Sequence, residues 1–320
     1  MFAITASSID RDEPLSGLEL GDHPDPEPPD GWVVVNVRAA SLNHHDLWTL
    51  RGVGIDEERL PIVLGCDAAG VTKDGQEVVV HSVIATPDGD ETLADDFNIL
   101  SEVHDGTFAD MVTVPRRNLV PKPASLSYEE AACLPTAYLT AYRMLFTRGE
   151  ARPGMRILIQ GAGGGVSTAT LLLARAAGIH VTVTSRSDEK LERALELGAN
   201  EAVPSGDRLP QRVDLVLETV GEATWGHSLR SVVTGGTIVV AGATSGADPA
   251  AELRHVFYRQ LRVVGSTMGT RAELERLVGF LAASDVRPLI DEVYAMTDAR
   301  SAFERMNEGE QFGKLVLRHG

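Results

Sequence analysis

Four glycines in one short turn have the clearest chemical use in this chain. Gly161, Gly163, Gly164 and Gly165 directly follow the apolar run Ile157–Ile159. Glycine allows a tight turn and lets the backbone approach a pyrophosphate, because no Cβ stands in the way. A helix that begins at such a turn directs free N–H groups and a positive dipole end at the phosphate. The turn therefore predicts a dinucleotide site, with a purely structural glycine turn as the alternative.

The elements on both sides of the turn match the context that a dinucleotide fingerprint requires. Ile157–Ile159 predicts a strand, Ser167–Ala177 a helix that is apolar on most sides, and Ile179–Thr184 a second strand. A βαβ unit with glycines at its first turn is typical of a Rossmann fold. The spacing Gly161-x-x-Gly164-x-x-Ser167 departs from the usual fingerprint, because serine stands in the place of the third glycine.

The residues at the end of the second strand bear on the choice between NAD and NADP. NAD sites place Asp or Glu about 20 residues after the glycines, where the carboxylate binds the ribose 2′-hydroxyl. This chain has Ser185 and Arg186 there, with Lys190 a turn later. Arg186 can bind a 2′-phosphate with two hydrogen bonds, and Ser185 can donate a further one. The pattern favours NADP(H), with simple solvation of a loop as the alternative.

A second polar cluster lies in the segment SLNHHDLWTLRG, residues 41–52. His44 and His45 have side chains that titrate near neutral pH and can pass a proton. We expect them in a strand or loop, where adjacent side chains face opposite ways. His45 is the candidate proton donor of the pair, and Asp46 is interpreted as an orienting carboxylate.

The order of predicted elements indicates an α/β protein with two domains. Residues 1–120 contain short strands and turns, and a helix is expected over Ser127–Leu145. From there to about residue 285, strands alternate with helices, which predicts a doubly wound parallel sheet. The final strand, Gly313–Arg318, is free to return to the β-rich domain. The predicted domains are 1–120 with 288–320, and 121–287.

Composition excludes several classes of protein. The chain has 320 residues, 43% of them hydrophobic and 23% charged, with a formal net charge of −17. Nucleic acids and anionic membranes are therefore poor partners, and no apolar run approaches the 18 residues of a membrane span. Cys66 and Cys133 form no CxxC pair. With no secretory signal visible, we expect a cytoplasmic protein.

With these segments in view, the chain resembles the medium-chain dehydrogenase/reductase superfamily. The motifs span nearly the whole length and are listed in order: SLNHHDLWTLRG, LGCDAAG, GTFADMVTVP, AACLPTAYLTAY, the βαβ unit, DLVLETVG and GKLVL. The resemblance implies a GroES-like β-rich domain, split between the chain ends, together with the Rossmann domain. It also implies catalytic-site roles for Asn43, Trp48 and Thr140, with packing in the core as the alternative for Trp48.

The same resemblance separates zinc alcohol dehydrogenases from zinc-free quinone reductases. The zinc branch uses ligands at positions occupied here by Asn43, Cys66 and Thr136. Asparagine and threonine are poor zinc ligands, so we expect no metal and interpret Cys66 as a small buried residue. His44, His45, Cys66 and Asp67 remain as a possible substitute set. Asn43 matches the zinc-free quinone oxidoreductase branch.

The sequence thus predicts a zinc-independent, NADPH-dependent reductase of quinones or α,β-unsaturated carbonyl compounds. A zinc-dependent alcohol dehydrogenase with unusual ligands and a non-catalytic NADPH-binding protein remain as alternatives. The resemblance also implies that the protein forms a homodimer. The catalytic candidates are Asn43, His45, Trp48 and Thr140. The expected cofactor contacts are Gly161, Gly163, Gly164, Gly165, Val166, Ser185, Arg186, Lys190, Gly242, Ala243, Gly265 and Ser266.

Overall fold

The computed structural model describes residues 1–86 and 89–319. Up to residue 139, the described residues form short strands and two helices. Strands β1 to β10 lie at Phe2–Ala6, Leu18–Asp22, Trp32–Ser41, Ile62–Val63, Asp67–Thr72, Glu77–Val80, Val83–Ile84, Asn98–Ile99, Met111–Pro115 and Leu119–Pro121. Helices α1 and α2 lie at His44–Leu50 and Tyr128–Ala132. Short 3-10 turns occupy Pro14–Gly17, Glu57–Arg59, Glu91–Leu93 and Arg116–Asn118.

The single helix expected over Ser127–Leu145 is divided in the structure. Ser127 caps α2 and forms a capping box with Glu130, as its position in the sequence suggested. Wider π-type turns follow at Leu134–Tyr138 and Arg143–Arg148, on either side of α3 (Leu139–Tyr142). Pro135 has no N–H to donate, so regular α-helical bonding is interrupted at this point. The segment is therefore helical as expected, although its hydrogen bonding alternates between α and π types.

Residues 140–267, all of which the structure describes, contain the parallel sheet. The elements in chain order are β11 (Arg156–Ile159), α4 (Gly165–Ala176), β12 (His180–Ser185), α5 (Asp188–Glu196), β13 (Glu201–Pro204), β14 (Val213–Glu218), α6 (Glu222–Ser231), β15 (Val232–Val240), α7 (Leu253–Tyr258) and β16 (Arg262–Gly265). The strand order is β13-β12-β11-β14-β15-β16, with every pair parallel. Numbered from β11, this is the order 3-2-1-4-5-6 of a Rossmann sheet, which confirms the predicted fold class.

The end of the chain returns to the β-rich part. It contains α8 (Arg271–Ser284), β17 (Ile290–Ala295), a 3-10 turn at Met296–Asp298, α9 (Ala299–Glu308) and β18 (Lys314–Arg318). Strand β18 pairs antiparallel with β3 and parallel with β17, in a sheet of order β10-β6-β5-β3-β18-β17 with β9 also on β3. Two smaller sheets, β2-β1-β4 and β7-β8, complete the β-rich part among the described residues.

The chain forms two compact units. The first comprises Met1–Leu139 and Met268–Gly320, and the second comprises Thr140–Thr267. These limits differ from the domain boundaries expected at residues 120 and 288. Helix α2 packs on β3 and β5, and α8 packs on β10, so both helices belong to the first unit. The division into compact units does not test where the domains begin and end, so the expected domain boundaries stay a prediction.

Each unit has its own apolar core. In the first, Ile4, Leu50, Leu64 and Phe303 belong to one buried cluster that joins the sheets to α1 and α9. In the second, a buried cluster that includes Leu158, Val216 and Ile238 covers the centre of the parallel sheet. Burying each such side chain contributes roughly 1.5–3 kcal/mol, which holds the strand ends in fixed positions. Within the described ranges, no helix has the length and apolar character needed to cross a membrane.

Candidate functional sites

The predicted glycine turn joins the end of β11 to the start of α4, at the centre of the parallel sheet. Gly161 and Gly163 have φ values of +81° and +98°, in the region that favours glycine. Gly164 differs, because its φ is −69° and an added Cβ would meet only the Ser167 Oγ, at 3.9 Å. The fold therefore needs glycine at 161 and 163, whereas the open space at 164 is available to a ligand. The turn stands where the strand order reverses, the usual position of a nucleotide site.

A buried polar network lies beneath this turn. The Gly161 N–H donates to Thr184 Oγ1 at 3.3 Å, and Thr184 Oγ1 donates to Gln160 Oε1 at 2.7 Å. The Gln160 Nε2 then donates to Ser228 Oγ, and Ser228 donates to Glu218 Oε2 at 2.6 Å. A satisfied network of this kind holds the turn rigidly. The sequence analysis missed it, and polar residues at the ends of apolar strands were the available signal.

The end of β12 carries the residues expected to select the cofactor. Ser185 is buried, and its Oγ accepts from the Ser187 N–H at 3.1 Å, which leaves its own proton free to donate. Arg186 is exposed. Ser187 caps α5 by accepting from the Lys190 N–H, so Lys190 lies in the first helical turn. Asp188 is the nearest following carboxylate and begins the same helix.

The remaining expected cofactor contacts follow the carboxyl ends of β15 and β16. Gly242 and Ala243 follow β15 after one intervening residue, and a Cβ at Gly242 would lie 3.1 Å from the Thr219 carbonyl oxygen. Gly265 ends β16, and the Ser266 N–H donates to the Val240 oxygen at 2.9 Å. Val166 is the second residue of α4. All these positions therefore lie along the carboxyl edge of the sheet, and their contact with a cofactor stays a prediction.

In the first unit, Asn43 belongs to a buried cluster with a lysine that the sequence analysis missed. Strand register places Ser41 beside Asp67 on β5 and beside Val316 on β18. Lys314, only 2% exposed, donates through Nζ to the Leu42 oxygen and to Asn43 Oδ1, both at 2.6 Å. The Asn43 Nδ2 donates to Asp67 Oδ2 at 2.8 Å and to the Ser41 oxygen at 3.3 Å. Both ends of the Asn43 amide are therefore engaged within the protein.

His45 lies in a helix rather than in a strand or loop, and its side chain is hydrogen-bonded to Glu102 and Cys66. His44 and His45 are the first two residues of α1, which corrects the expectation from sequence. The His45 Nε2 is 3.0 Å from Glu102 Oε1, and its Nδ1 is 3.3 Å from Cys66 Sγ. Cys66 is 1% exposed and also donates to the Leu100 oxygen at 3.3 Å. Local helix formation follows from Asp46, which accepts from the Asn43 N–H at 2.7 Å.

The pKa values of His45, Cys66 and Asp46 are shifted by burial and by the charged groups close to them. Burial raises the pKa of the Cys66 thiol to about 11, although His45 opposes this shift. Burial also raises the pKa of the Asp46 carboxyl to about 7. Burial alone would lower the pKa of His45, but Cys66, Glu102 and Asp46 outweigh it and raise the pKa well above its usual value. His45 therefore holds its proton more strongly than a free imidazole does.

The other two catalytic candidates lie in different surroundings. Trp48 is half-buried and packs against the apolar cluster of the first unit, in the way expected of a core residue. Thr140 is buried in α3 and is the first residue of the second unit. Their catalytic roles stay predictions.

The zinc positions implied by the resemblance do not suit a metal in this chain. Asn43 Oδ1 accepts a hydrogen bond from the Lys314 ammonium. The only side-chain oxygen that Asn43 could offer to a metal ion is therefore already bound to a positively charged group. Lys314 Nζ also lies 3.6 Å from Asp67 Oδ2 and compensates that buried charge. Thr136 offers only a buried hydroxyl. A neutral amide and a hydroxyl are poor zinc ligands, so Asn43, Cys66 and Thr136 do not fit zinc.

With both sites described, comparison with known proteins defines the class. Residues 29–124 match the family described as alcohol dehydrogenase GroES-like domain, and residues 165–283 match the family described as zinc-binding dehydrogenase. The chain is 33% identical to a zinc-type alcohol dehydrogenase-like protein of Schizosaccharomyces pombe, over 90% of this chain and 91% of that protein. It belongs to the medium-chain dehydrogenase/reductase superfamily, and its β-rich part is GroES-like. It is an oxidoreductase of a family that uses nicotinamide cofactors.

Other relatives carry several different activities in their names. An acryloyl-coenzyme A reductase of Metallosphaera sedula is 28% identical, over 94% of this chain and 96% of that protein. A quinone oxidoreductase of Rattus norvegicus is 27% identical, over 91% and 90%. A solved structure described as an NAD-dependent alcohol dehydrogenase is 34% identical and covers 100% of both chains, with a TM-score of 0.91.

Proposed function

We propose that this protein is a zinc-independent, NADPH-dependent reductase of quinones or α,β-unsaturated carbonyl compounds. The observation that carries the proposal is the buried contact between the Lys314 ammonium and Asn43, 2.6 Å long. It stands at a position where the zinc branch of the superfamily requires a thiolate. A conjugated acceptor can take hydride with hydrogen-bond help alone, whereas oxidation of a simple alcohol at neutral pH needs a Lewis acid. The relatives named for quinone and acryloyl-coenzyme A reduction support the same direction.

In this proposal the protein binds and orients, and NADPH supplies the hydride when it is bound. The turn at Gly163 and Gly164, with the start of α4, holds the pyrophosphate against free N–H groups. The network through Thr184 and Gln160 keeps that turn in place. The imidazole of His45, hydrogen-bonded to Glu102, is the candidate source of the proton that completes the reduction. Solvent is the other source.

The NADPH preference rests on Ser185 and Arg186. The exposed guanidinium of Arg186 follows the buried hydroxyl of Ser185 at the end of β12. A guanidinium at this place can form charge-assisted hydrogen bonds with a 2′-phosphate, and no carboxylate stands at residues 184–186 to oppose it. The similar structure described as NAD-dependent makes a direct comparison of the two cofactors necessary.

We also propose a cytoplasmic homodimer. Both cysteines are free and buried, in keeping with a reducing compartment. Strand β16 ends the order of the parallel sheet, and a strand edge can pair with a second copy. Helix α7, which precedes β16 in the chain, carries exposed apolar side chains: Leu253 and Phe257 are each 69% exposed and Tyr258 is 78% exposed. The opposite edge strand, β13, contains Glu201 and Pro204, which disfavour such pairing.

The test is an NADPH-oxidation screen over quinones, enones, aldehydes and simple alcohols, run after exhaustive chelation and again with added zinc. We expect turnover of a quinone or enone in the chelated protein without added zinc, and poor activity toward simple alcohols. Turnover that is lost on chelation and restored by zinc would overturn the metal-free assignment. Tight NADPH binding without oxidation by any acceptor in the panel would instead favour a non-catalytic cofactor-binding protein.

A further inference from the structure

Three potential metal ligands converge in the first unit, next to Asn43, and one of them is Cys66. They are His45, Asp46 and Cys66, whose ligand atoms all lie within 4.8 Å of one another. The His45 Nδ1 and the Cys66 Sγ are only 3.3 Å apart. Tetrahedral zinc with ordinary Zn–N and Zn–S bonds places its ligand atoms about 3.5 Å apart, close to the separation seen here. With Asp46, the group offers three ligand atoms near enough to one another for a single ion.

A second observation points independently to a ligand at this group. Asp46 is fully buried, and its Oδ2 accepts from the Asn43 N–H. Its other oxygen, Oδ1, is also buried and has no hydrogen-bond partner. A buried carboxylate oxygen without a partner is costly, because the group has lost its water and gained nothing in return. A cation bound beside Oδ1 would remove that cost.

The surroundings of His45 have the arrangement found around metal-binding histidines. A ligating imidazole commonly donates its second ring N–H to a carboxylate, which fixes the ring and increases its basicity. Here the Nε2 of His45 faces Glu102 Oε1 at 3.0 Å, and Nδ1 remains on the side of Cys66. The Ile99 N–H donates to Glu102 Oε2 at 3.1 Å, so the carboxylate is held in position. The His45 side chain is 21% exposed, which provides a route to solvent.

The chemistry of the ligands selects the class of ion. One imidazole nitrogen, one thiolate sulfur and one carboxylate oxygen suit zinc and similar first-row divalent ions, whereas magnesium and calcium prefer oxygen ligands alone. Three protein ligands leave the fourth position for water. Binding replaces the Cys66 S–H bond with an S–Zn bond and requires an unprotonated His45 Nδ1, so the protons released from Cys66 and from His45 Nδ1 both pass to solvent.

We propose that His45 Nδ1, Cys66 Sγ and Asp46 Oδ1 form a site for one zinc-class divalent ion, oriented by Glu102. Of the three positions that hold zinc in the zinc branch, this site uses Cys66 and neither Asn43 nor Thr136. The ion links α1 to the segment before β5 and is not required for the reductase chemistry proposed above. Binding of metal and turnover of substrate are therefore separate questions with separate measurements.

Cobalt(II) is the probe that tests the site directly. The full-length protein is stripped with a chelator and titrated with cobalt chloride while its absorption spectrum is recorded. We expect one equivalent of cobalt, visible bands of a four-coordinate ion, and a near-ultraviolet band from thiolate-to-cobalt charge transfer. Added zinc should displace the cobalt, and the melting temperature of the protein should rise with bound metal.

Variants identify the ligands in the same experiment. Cys66→Ser should lose the charge-transfer band, whereas Cys133→Ser, which alters the other buried cysteine, should keep it. Glu102→Gln should keep the band but weaken cobalt affinity about 10- to 100-fold, the usual effect of altering a residue that orients a ligand. His44→Ala, at an exposed neighbour of His45, should bind cobalt like the parent protein.

The proposal is overturned if the folded parent protein shows no stoichiometric charge-transfer band. It is also overturned if the band persists in folded Cys66→Ser, or if it disappears in folded Cys133→Ser. Should Cys66→Ser fail to fold by circular dichroism, Glu102→Gln decides: unchanged cobalt affinity there refutes the site. NADPH oxidation by the chelated parent protein tests the proposed function separately, whatever the cobalt spectra show.

Discussion

At the scale of single residues, the proposed preference for NADPH rests on the charge at the end of β12. Arg186 is exposed, and Ser185 beside it keeps a hydroxyl proton available. Asp188, two residues further along the chain, has the opposite charge and begins α5. These two positions form a natural pair for a test, because each can be neutralised without changing the buried network beneath the glycine turn.

Arg186→Ala should weaken NADPH binding and leave NADH binding nearly unchanged. Loss of a charge-assisted hydrogen bond to a phosphate costs roughly 1.5–3 kcal/mol, which corresponds to about 10- to 150-fold in the dissociation constant. Fluorescence titration of both cofactors measures the effect. Asp188→Ala is the matched control and should not weaken NADPH binding. Equal weakening of both cofactors by Arg186→Ala would contradict the assignment of a 2′-phosphate contact.

At the scale of elements, the glycine turn uses glycine for two different reasons. Some positions need glycine for a positive φ, and another leaves space for a ligand. Gly161 and Gly163 adopt positive φ, so side chains there strain the backbone whether or not a ligand binds. Gly164 has an ordinary φ and open space around the position of a Cβ. The same turn therefore contains positions that serve the fold and one position at which a substitution reports on the ligand.

Gly164→Val should abolish cofactor binding in a protein that still folds. The branched side chain would fill the space of the pyrophosphate, while its cost to the start of α4 should be only about 1 kcal/mol. Calorimetric titration with NADPH and a thermal melt measure the two effects. Gly279→Val in α8, where a Cβ also meets open space, controls for adding a valine and should retain binding. Tight NADPH binding by Gly164→Val would mean that the phosphate lies elsewhere.

At the scale of the whole molecule, a strong net charge is combined with exposed apolar side chains, some of them on α7 and β16. The formal net charge of −17 opposes non-specific association between copies. Leu253, Phe257 and Tyr258 are nevertheless exposed on α7, and Val263 is 46% exposed on β16, the edge strand that follows α7 in the chain. An edge strand with an exposed apolar side chain suits a two-fold interface, in which the same strand from each copy pairs with the other.

Val263→Lys should convert the proposed dimer to a monomer. A lysine on an edge strand disfavours edge-to-edge pairing, because its charge would be buried in the interface. Light scattering coupled to size-exclusion chromatography gives the mass of each variant. Leu195→Lys replaces a similarly exposed apolar residue on α5 and should leave the mass unchanged. A parent protein that runs as a monomer, or a Val263→Lys variant that remains a dimer, would refute this interface.

The sequence by itself was sufficient for the class of fold and for the glycine turn, because both depend on local pattern. Apolar runs of strand length alternate with helical segments, and the glycines stand directly between β11 and α4. Such features are encoded within about 30 residues, the length of one βαβ unit. The pattern also placed β18 beside the β-rich part, where the structure pairs it with β3.

Only the tertiary structure decided which distant side chains meet. Lys314 reaches Asn43 across 271 positions of the chain, because β18 is hydrogen-bonded beside β3. Glu102 and Cys66 meet His45 from two separate segments, which no spacing in the sequence indicates. His45 was expected in a strand or loop, yet capping of α1 by Asn43 and Asp46 places it in a helix. Strand register and helix capping set these contacts, and both depend on packing rather than on local pattern.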